Sequence, residues 1–79
     1  MTIQVLFFGA TVNAAGERKI ELFLPEGETS DRAFEQIKLD YPKLRSHKLL
    51  YALNQNYTTG DEVLRDGDEL AIFTAVSGG

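Results

Sequence analysis

The sequence predicts an α+β domain in which one amphipathic helix packs across a mixed β-sheet. Three observations carry this: alternating apolar runs near both ends of the chain, a helical face with start and stop signals between them, and a length of 79 residues that suits one compact unit spanning 1–79. With 43% hydrophobic and 25% charged residues the composition is globular. A domain this small buries only about 60 to 65% of the surface its unfolded chain exposes, which leaves little volume for an enclosed cavity. Function is therefore expected on a face or at a terminus.

The first strand is expected over Ile3 to Phe8, where Ile3, Val5 and Phe7 alternate on one face while Leu6 and Phe8 make the other face apolar too. A strand apolar on both faces is central or meets a partner. Gly9 ends it, residues 10–16 read as a loop or one helical turn, and Lys19 to Leu24 alternates again through Ile20, Leu22 and Leu24. The two strands are most simply antiparallel. Pro25-Glu26-Gly27 is turn chemistry, and the hydroxyl of Thr29 or Ser30 can cap the helix that follows. Asp31 suits the positive end of its dipole. Ala33, Phe34, Ile37 and Tyr41 share one helical face, and Pro42 stops the helix nearby. Leu49 to Leu53 forms a third strand, Asn54-Gln55-Asn56 a turn, and Glu69 to Ala75 a last strand entered through the tight turn Asp66-Gly67-Asp68, with a short strand possible at Val63-Leu64. If the first and last strands lie side by side at the centre, the result is a β-grasp arrangement.

Composition excludes several functions. The chain has no cysteine, so disulfides, thiolate metal sites and a cysteine nucleophile are absent, and its single histidine, His47, cannot build a multi-histidine metal site. Neither a metal nor a cofactor is expected. A net charge of −4 disfavours a nucleic-acid partner. No basic segment precedes the apolar Val5-Leu6-Phe7-Phe8, so it does not read as a signal peptide, and no apolar run approaches the roughly 20 residues that cross a bilayer. No membrane association is expected, and the expected location is the cytoplasm.

The residues placed so far carry a resemblance across the whole chain. Val5-Leu6-Phe7-Phe8, Ala52-Leu53-Asn54-Gln55, Asp66-Gly67-Asp68-Glu69-Leu70 leading into Ile72-Phe73, and the closing Val76-Ser77-Gly78-Gly79 are each weak signals. In this order and spacing, on a chain that stops at a double glycine, they resemble the MoaD/ThiS family of ubiquitin-like sulfur carriers, and within it the molybdopterin synthase small-subunit type. Ser30-Asp31 departs from the family pattern, where an apolar residue is usual, and Asn13-Ala14-Ala15 lacks charges often found there.

The resemblance implies a carrier cycle. An ATP-dependent, E1-like adenylyltransferase activates the Gly79 carboxylate, a sulfurtransferase supplies sulfur to make a thiocarboxylate, and the tail Ser77-Gly78-Gly79 enters a large catalytic subunit, as part of a heterotetramer. There the sulfur passes to cyclic pyranopterin monophosphate in molybdenum cofactor biosynthesis. The carrier has no active site of its own. Residues 76–79 are expected to form a flexible, exposed tail, already mature because nothing follows Gly79. The composition suits the role, since a carboxylate is a poor electrophile until adenylation provides a leaving group, and glycines make the tail narrow enough to thread a slot.

The resemblance also maps a partner-binding patch onto Phe8, Tyr57 and Phe73. Phe8 is out of phase with Ile3, Val5 and Phe7, and Phe73 with Leu70 and Ile72, which favours the patch; the alternative is that these aromatics fill the core. Asp61, Glu62, Asp66, Asp68 and Glu69 against Arg65 make an acidic stretch around that patch, which either complements a basic partner or is a solvated loop. Lys43, Arg45, His47 and Lys48 read as a solvated basic cluster. Two other readings stay open: a related carrier for thiazole synthesis or tRNA thiolation, and a β-grasp adaptor without covalent chemistry.

Overall fold

The computed structural model of the protein describes residues 1–58 and 60–75, so the expected tail at 76–79 lies outside the described residues. Strand β1 (Thr2–Phe7) buries Ile3, Val5 and Phe7, as the alternation requires. The segment expected to be a loop or one turn is a short helix, α1 (Ala10–Ala15), closed by Gly16 in the left-handed region at φ 76°. Strand β2 (Lys19–Phe23) returns antiparallel to β1, with Ile3 opposite Leu22 and Val5 opposite Ile20.

Helix α2 (Ser30–Asp40) starts where its cap places it: Thr29 is extended and its Oγ1 accepts from the Arg32 N–H at 3.4 Å. Its buried face is Ser30, Ala33, Phe34 and Ile37. Pro42 ends it, and the chain continues as a 3-10 helix over Pro42–Ser46 that buries Leu44, an element whose lone apolar anchor gave no periodicity to read. Strand β3 (Leu49–Leu53) turns through Asn54 and Gln55, both at positive φ, into a two-residue strand β4 (Asn56–Tyr57). Asn56 thus belongs to a strand and not to the turn. The possible strand at Val63-Leu64 reduces to one bridge between Val63 and Thr29.

Strand β5 (Glu69–Thr74) runs parallel to β1 and antiparallel to β3, giving the sheet order β2-β1-β5-β3-β4. The two end strands of the chain are therefore adjacent at the centre, and α2 covers one side of the sheet. The core between them holds Ile3, Val5, Phe7, Phe34, Ile37, Leu44, Leu64, Leu70 and Ile72. Among the described residues no helix covers the other side of the sheet.

Candidate functional site

Register decides which side chains occupy the open side. Residues of β5 alternate, so with Leu70 and Ile72 buried in the core, Ala71 and Phe73 face away from α2. Phe73 is opposite Leu50 and Ala71 opposite Ala52, which in turn pairs with Tyr57 on β4. On the other flank Leu6 pairs with Ala71. Phe8 stands one position beyond the last β1–β5 pair, and its N–H donates to the Ile72 carbonyl at 3.0 Å. The structure therefore puts Phe8, Tyr57 and Phe73 on one helix-free surface. Phe8 is 50% and Tyr57 78% exposed, so these two do not fill the core, and the Tyr57 and Phe73 rings meet edge-on at 6.2 Å.

Leu50, 39% exposed, joins this surface and was missed in the sequence. Its signal was present: Leu49-Leu50-Tyr51 is apolar on both strand faces, the same pattern that marked Leu6 and Phe8. Thr11 holds the Phe8 end in place. Buried completely, its hydroxyl accepts from the Phe8 N–H at 2.9 Å and can donate to the carbonyl of Phe8 at 2.6 Å or of Ile72 at 3.0 Å. Ala75 N–H donates to the Lys48 carbonyl at 3.0 Å, so the chain approaches residue 76 at the Phe8, Leu50 and Phe73 end of the surface. Ser77, Gly78 and Gly79 lie outside the described residues.

The acidic stretch does not ring this patch. Asp66, Asp68 and Glu69 sit at the opposite end of β5 from Phe73, and the carboxylates of Asp66 and Asp68 are engaged locally. Asp66 Oδ1 accepts from the Thr2 N–H at 2.7 Å, and Asp68 accepts from the Arg65 N–H at 2.8 Å and the Asn54 amide at 3.1 Å. Glu62 instead serves the start of α2, where its Oε1 accepts from Ser30 Oγ, the Gly60 N–H and Thr58 Oγ1. This network explains how a polar Ser30 is tolerated at a fully buried position. It also reaches Tyr51, whose phenol is pushed above its ordinary value of 10.0 by burial, against the opposing pull of a hydrogen bond with Ser30. Glu35 lies on the exposed side of α2, its pKa held below 4.5 by a hydrogen bond from Lys38.

Among the described residues no group of three or more His, Cys, Asp or Glu side chains could hold a metal ion, and no helix is long and apolar enough to cross a membrane. What the site offers is a flat apolar face beside the place where residues 76–79 begin. Comparison with known proteins gives that face a context, because the ThiS family model matches residues 5–79. The chain belongs to the ThiS family. The molybdopterin synthase sulfur carrier subunit of Arabidopsis thaliana is 33% identical over 79 residues, covering 98% of this chain and 82% of the relative. The subunit of the same name from Chlamydomonas reinhardtii is 36% identical over 83 residues, covering all of both chains. Among solved structures, a protein from Pyrococcus furiosus provisionally described as molybdopterin converting factor subunit 1 superposes with a TM-score of 0.89 at 28% identity, covering 96% of this chain and 99% of that one. The fold seen here is thus shared with that structure over 96% of the chain.

Proposed function

We propose that this chain is the sulfur carrier of a molybdopterin synthase, with Gly79 as the residue that bears the sulfur. The observation that carries the reading is the full-length match to a molybdopterin synthase sulfur carrier subunit at 36% identity, an alignment that reaches Gly78-Gly79. In this reading the Gly79 carboxylate attacks the α-phosphate of ATP on an E1-like adenylyltransferase, releasing pyrophosphate and leaving an acyl adenylate. A sulfur nucleophile delivered by a sulfurtransferase then displaces AMP at the carbonyl carbon. One carboxylate oxygen leaves with AMP, and sulfur takes its place.

The large synthase subunit would dock on the open face, with Phe8, Leu50, Tyr57 and Phe73 as its contacts, while Ser77, Gly78 and Gly79 extend into its catalytic centre. Exposed aromatics of this kind are the usual anchors of an interface. The acceptor would be cyclic pyranopterin monophosphate. Because a dithiolene contains two sulfurs and each Gly79 delivers one, a pair of loaded carriers serves each product, which fits a heterotetramer of paired small and large subunits.

Intact-mass spectrometry after incubation with a cognate activating enzyme, ATP and a sulfur source tests the first step: the protein should gain the mass difference of one sulfur for one oxygen. A variant extended by one residue after Gly79 should stay unmodified. Thiocarboxylation of that extended variant would overturn the role of Gly79. Offering the loaded protein in parallel to a molybdopterin synthase large subunit with its pterin and to a thiazole synthase tests the second step, and sulfur delivered to thiazole with none to pterin would replace this reading by a related carrier's.

A further inference from the structure

The open side of the sheet carries a charge pattern that its aromatic patch does not explain. Side chains on this side fall into rows that cross the strands, each about 7 Å from the next. One row runs from Lys19 through Leu6, Ala71 and Ala52 to Tyr57. The next row toward Ala75 holds Phe8, Phe73 and Leu50, and Lys48 stands just beyond it. The Ala75 N–H to Lys48 carbonyl bond extends the β3–β5 ladder by one pair, and Lys48 has the phase of Leu50. On the other flank of Leu6 the row is Glu21, Gln4 and Glu69.

Register thus separates Lys48 from the rest of the basic cluster. Arg45 and His47 line a cleft with Phe34 and Lys38 on the helix side, and Lys43 lines another with Ala10 and Asn13 of α1. Lys19, Lys48 and Glu21 are exposed and Glu69 is half-buried. Among the described residues the ion pairs join Met1 to Glu26, Arg32 to Glu28 and Lys38 to Glu35, and none uses these four side chains. The face therefore reads, along the strands from Ala75, as cation and apolar centre and then a carboxylate row. An apolar contact is non-directional, so Phe8, Leu50, Tyr57 and Phe73 can hold a partner without fixing how it is turned in the plane of the sheet.

We propose that the two charged bands fix the orientation of the protein partner that covers this face. That partner's surface carries carboxylates opposite Lys19 and Lys48, an apolar centre, and lysines or arginines opposite Glu21 and Glu69. The inference rests on the carrier reading, in which the large synthase subunit is that partner. Turned by half a circle in the plane of the sheet, the two surfaces would set like charges against each other, and Ala75, from which residues 76–79 continue, would lie at the wrong edge of the partner. Exposed pairs add little affinity one by one. Their effect is on the rate of productive encounter and on rejection of the reversed complex.

The test measures association of the full chain with a molybdopterin synthase large subunit by stopped flow. Replacing Lys19→Glu, Lys48→Glu, Glu21→Lys and Glu69→Lys together keeps the net charge at −4 while inverting both bands. No core side chain is touched, so the far-UV circular dichroism spectrum should be unchanged. At low salt this variant should associate at least about tenfold more slowly than the parent chain. The deficit should shrink as the Debye length falls from about 30 Å at 0.01 M to about 8 Å at 0.15 M salt. Should the fourfold variant not fold, Lys48→Glu alone should slow association at least about threefold with the same salt dependence. Lys19→Arg with Lys48→Arg should associate as the parent does. Carbodiimide, which joins an amine to a carboxylate in contact with it, should link Lys19 or Lys48 to an aspartate or glutamate of the large subunit, identified by mass spectrometry of the joined peptides. Association that the inversion leaves unchanged or accelerates, or linking confined to other lysines, would overturn this inference alone. Absence of binding by the parent chain would overturn the carrier reading with it.

Discussion

Phe73 is the residue at which packing and recognition separate most cleanly. Its neighbours in sequence, Ile72 and Leu70, are fully buried, while Phe73 itself faces the open side against Tyr57. Phe73→Asp therefore places a charge at a surface and not in the core, and the protein should fold with an unchanged far-UV circular dichroism spectrum. Binding to the large subunit, measured by calorimetry, should weaken by at least about 2 kcal/mol, as loss of a central aromatic anchor does. Normal affinity in the folded variant would remove the face from the proposed complex. Thr11 supports the same face from beneath. Thr11→Val keeps the shape but removes a buried hydroxyl that links α1 to β1 and β5, and should cost about 1 to 2 kcal/mol in chemical denaturation. That role was not legible in the sequence, since its hydrogen bond to Ile72 spans 61 residues and leaves no local pattern. Phe8 was legible, because its phase against Ile3, Val5 and Phe7 set it on the other face.

The elements that could be read are those whose determinants are local. Helix α2 was expected between Thr29 and Pro42 because a cap, a first-turn acid, an apolar face and a breaker all lie within its own segment, and the structure agrees except that Tyr41, expected on the helical face, stands past the helix as its C-cap while Ser30 joins the buried face. The turn Asp66-Gly67-Asp68 was legible as chemistry but not as architecture: Gly67 N–H donates to the Thr2 carbonyl at 2.8 Å, so the turn also stitches the start of β1 to the start of β5. β4 escaped notice because two residues carry no alternation. Its hairpin has Asn54 at φ 49° and Gln55 at φ 71°, the mirror-image turn that two-residue hairpins favour. Asparagine tolerates that region, whereas glutamine sits in it at a cost of about 1 kcal/mol. Gln55→Gly should therefore stabilise the domain by up to about 1 kcal/mol, read as a higher midpoint in urea at unchanged slope. An unchanged or lowered midpoint would mean that the Gln55 side chain contributes something its exposed position does not suggest.

For the molecule as a whole, the decisive feature is the parallel pairing of Gln4 to Phe7 with Glu69 to Ile72. Neither strand announces its partner; only the apolar character of both faces of β1 indicated a central place, and the parallel register depends on everything folded between. The arrangement ties the two ends of the chain through the middle of the sheet, with β2 on one flank and β3 on the other. No subset of elements keeps its apolar face covered without that pair: β1 loses its partner if β5 leaves, and α2 then packs against half a sheet. Leu64, which bonds back through its N–H to the Glu28 carbonyl at 2.8 Å, couples the loop before β5 to the start of α2 in the same way. The chain should consequently unfold as one unit, as the single domain expected over 1–79 would. Urea curves followed by far-UV circular dichroism, which reports the sheet and helix together, and by the fluorescence of Tyr51 and its fellow tyrosines, which reports packing, should superimpose with one midpoint. A truncation that stops before Glu69 should remove the cooperative transition altogether. Two separated transitions in the full chain, or a folded remnant in the truncated one, would show that the β1–β2 hairpin or α2 holds together without the central pair.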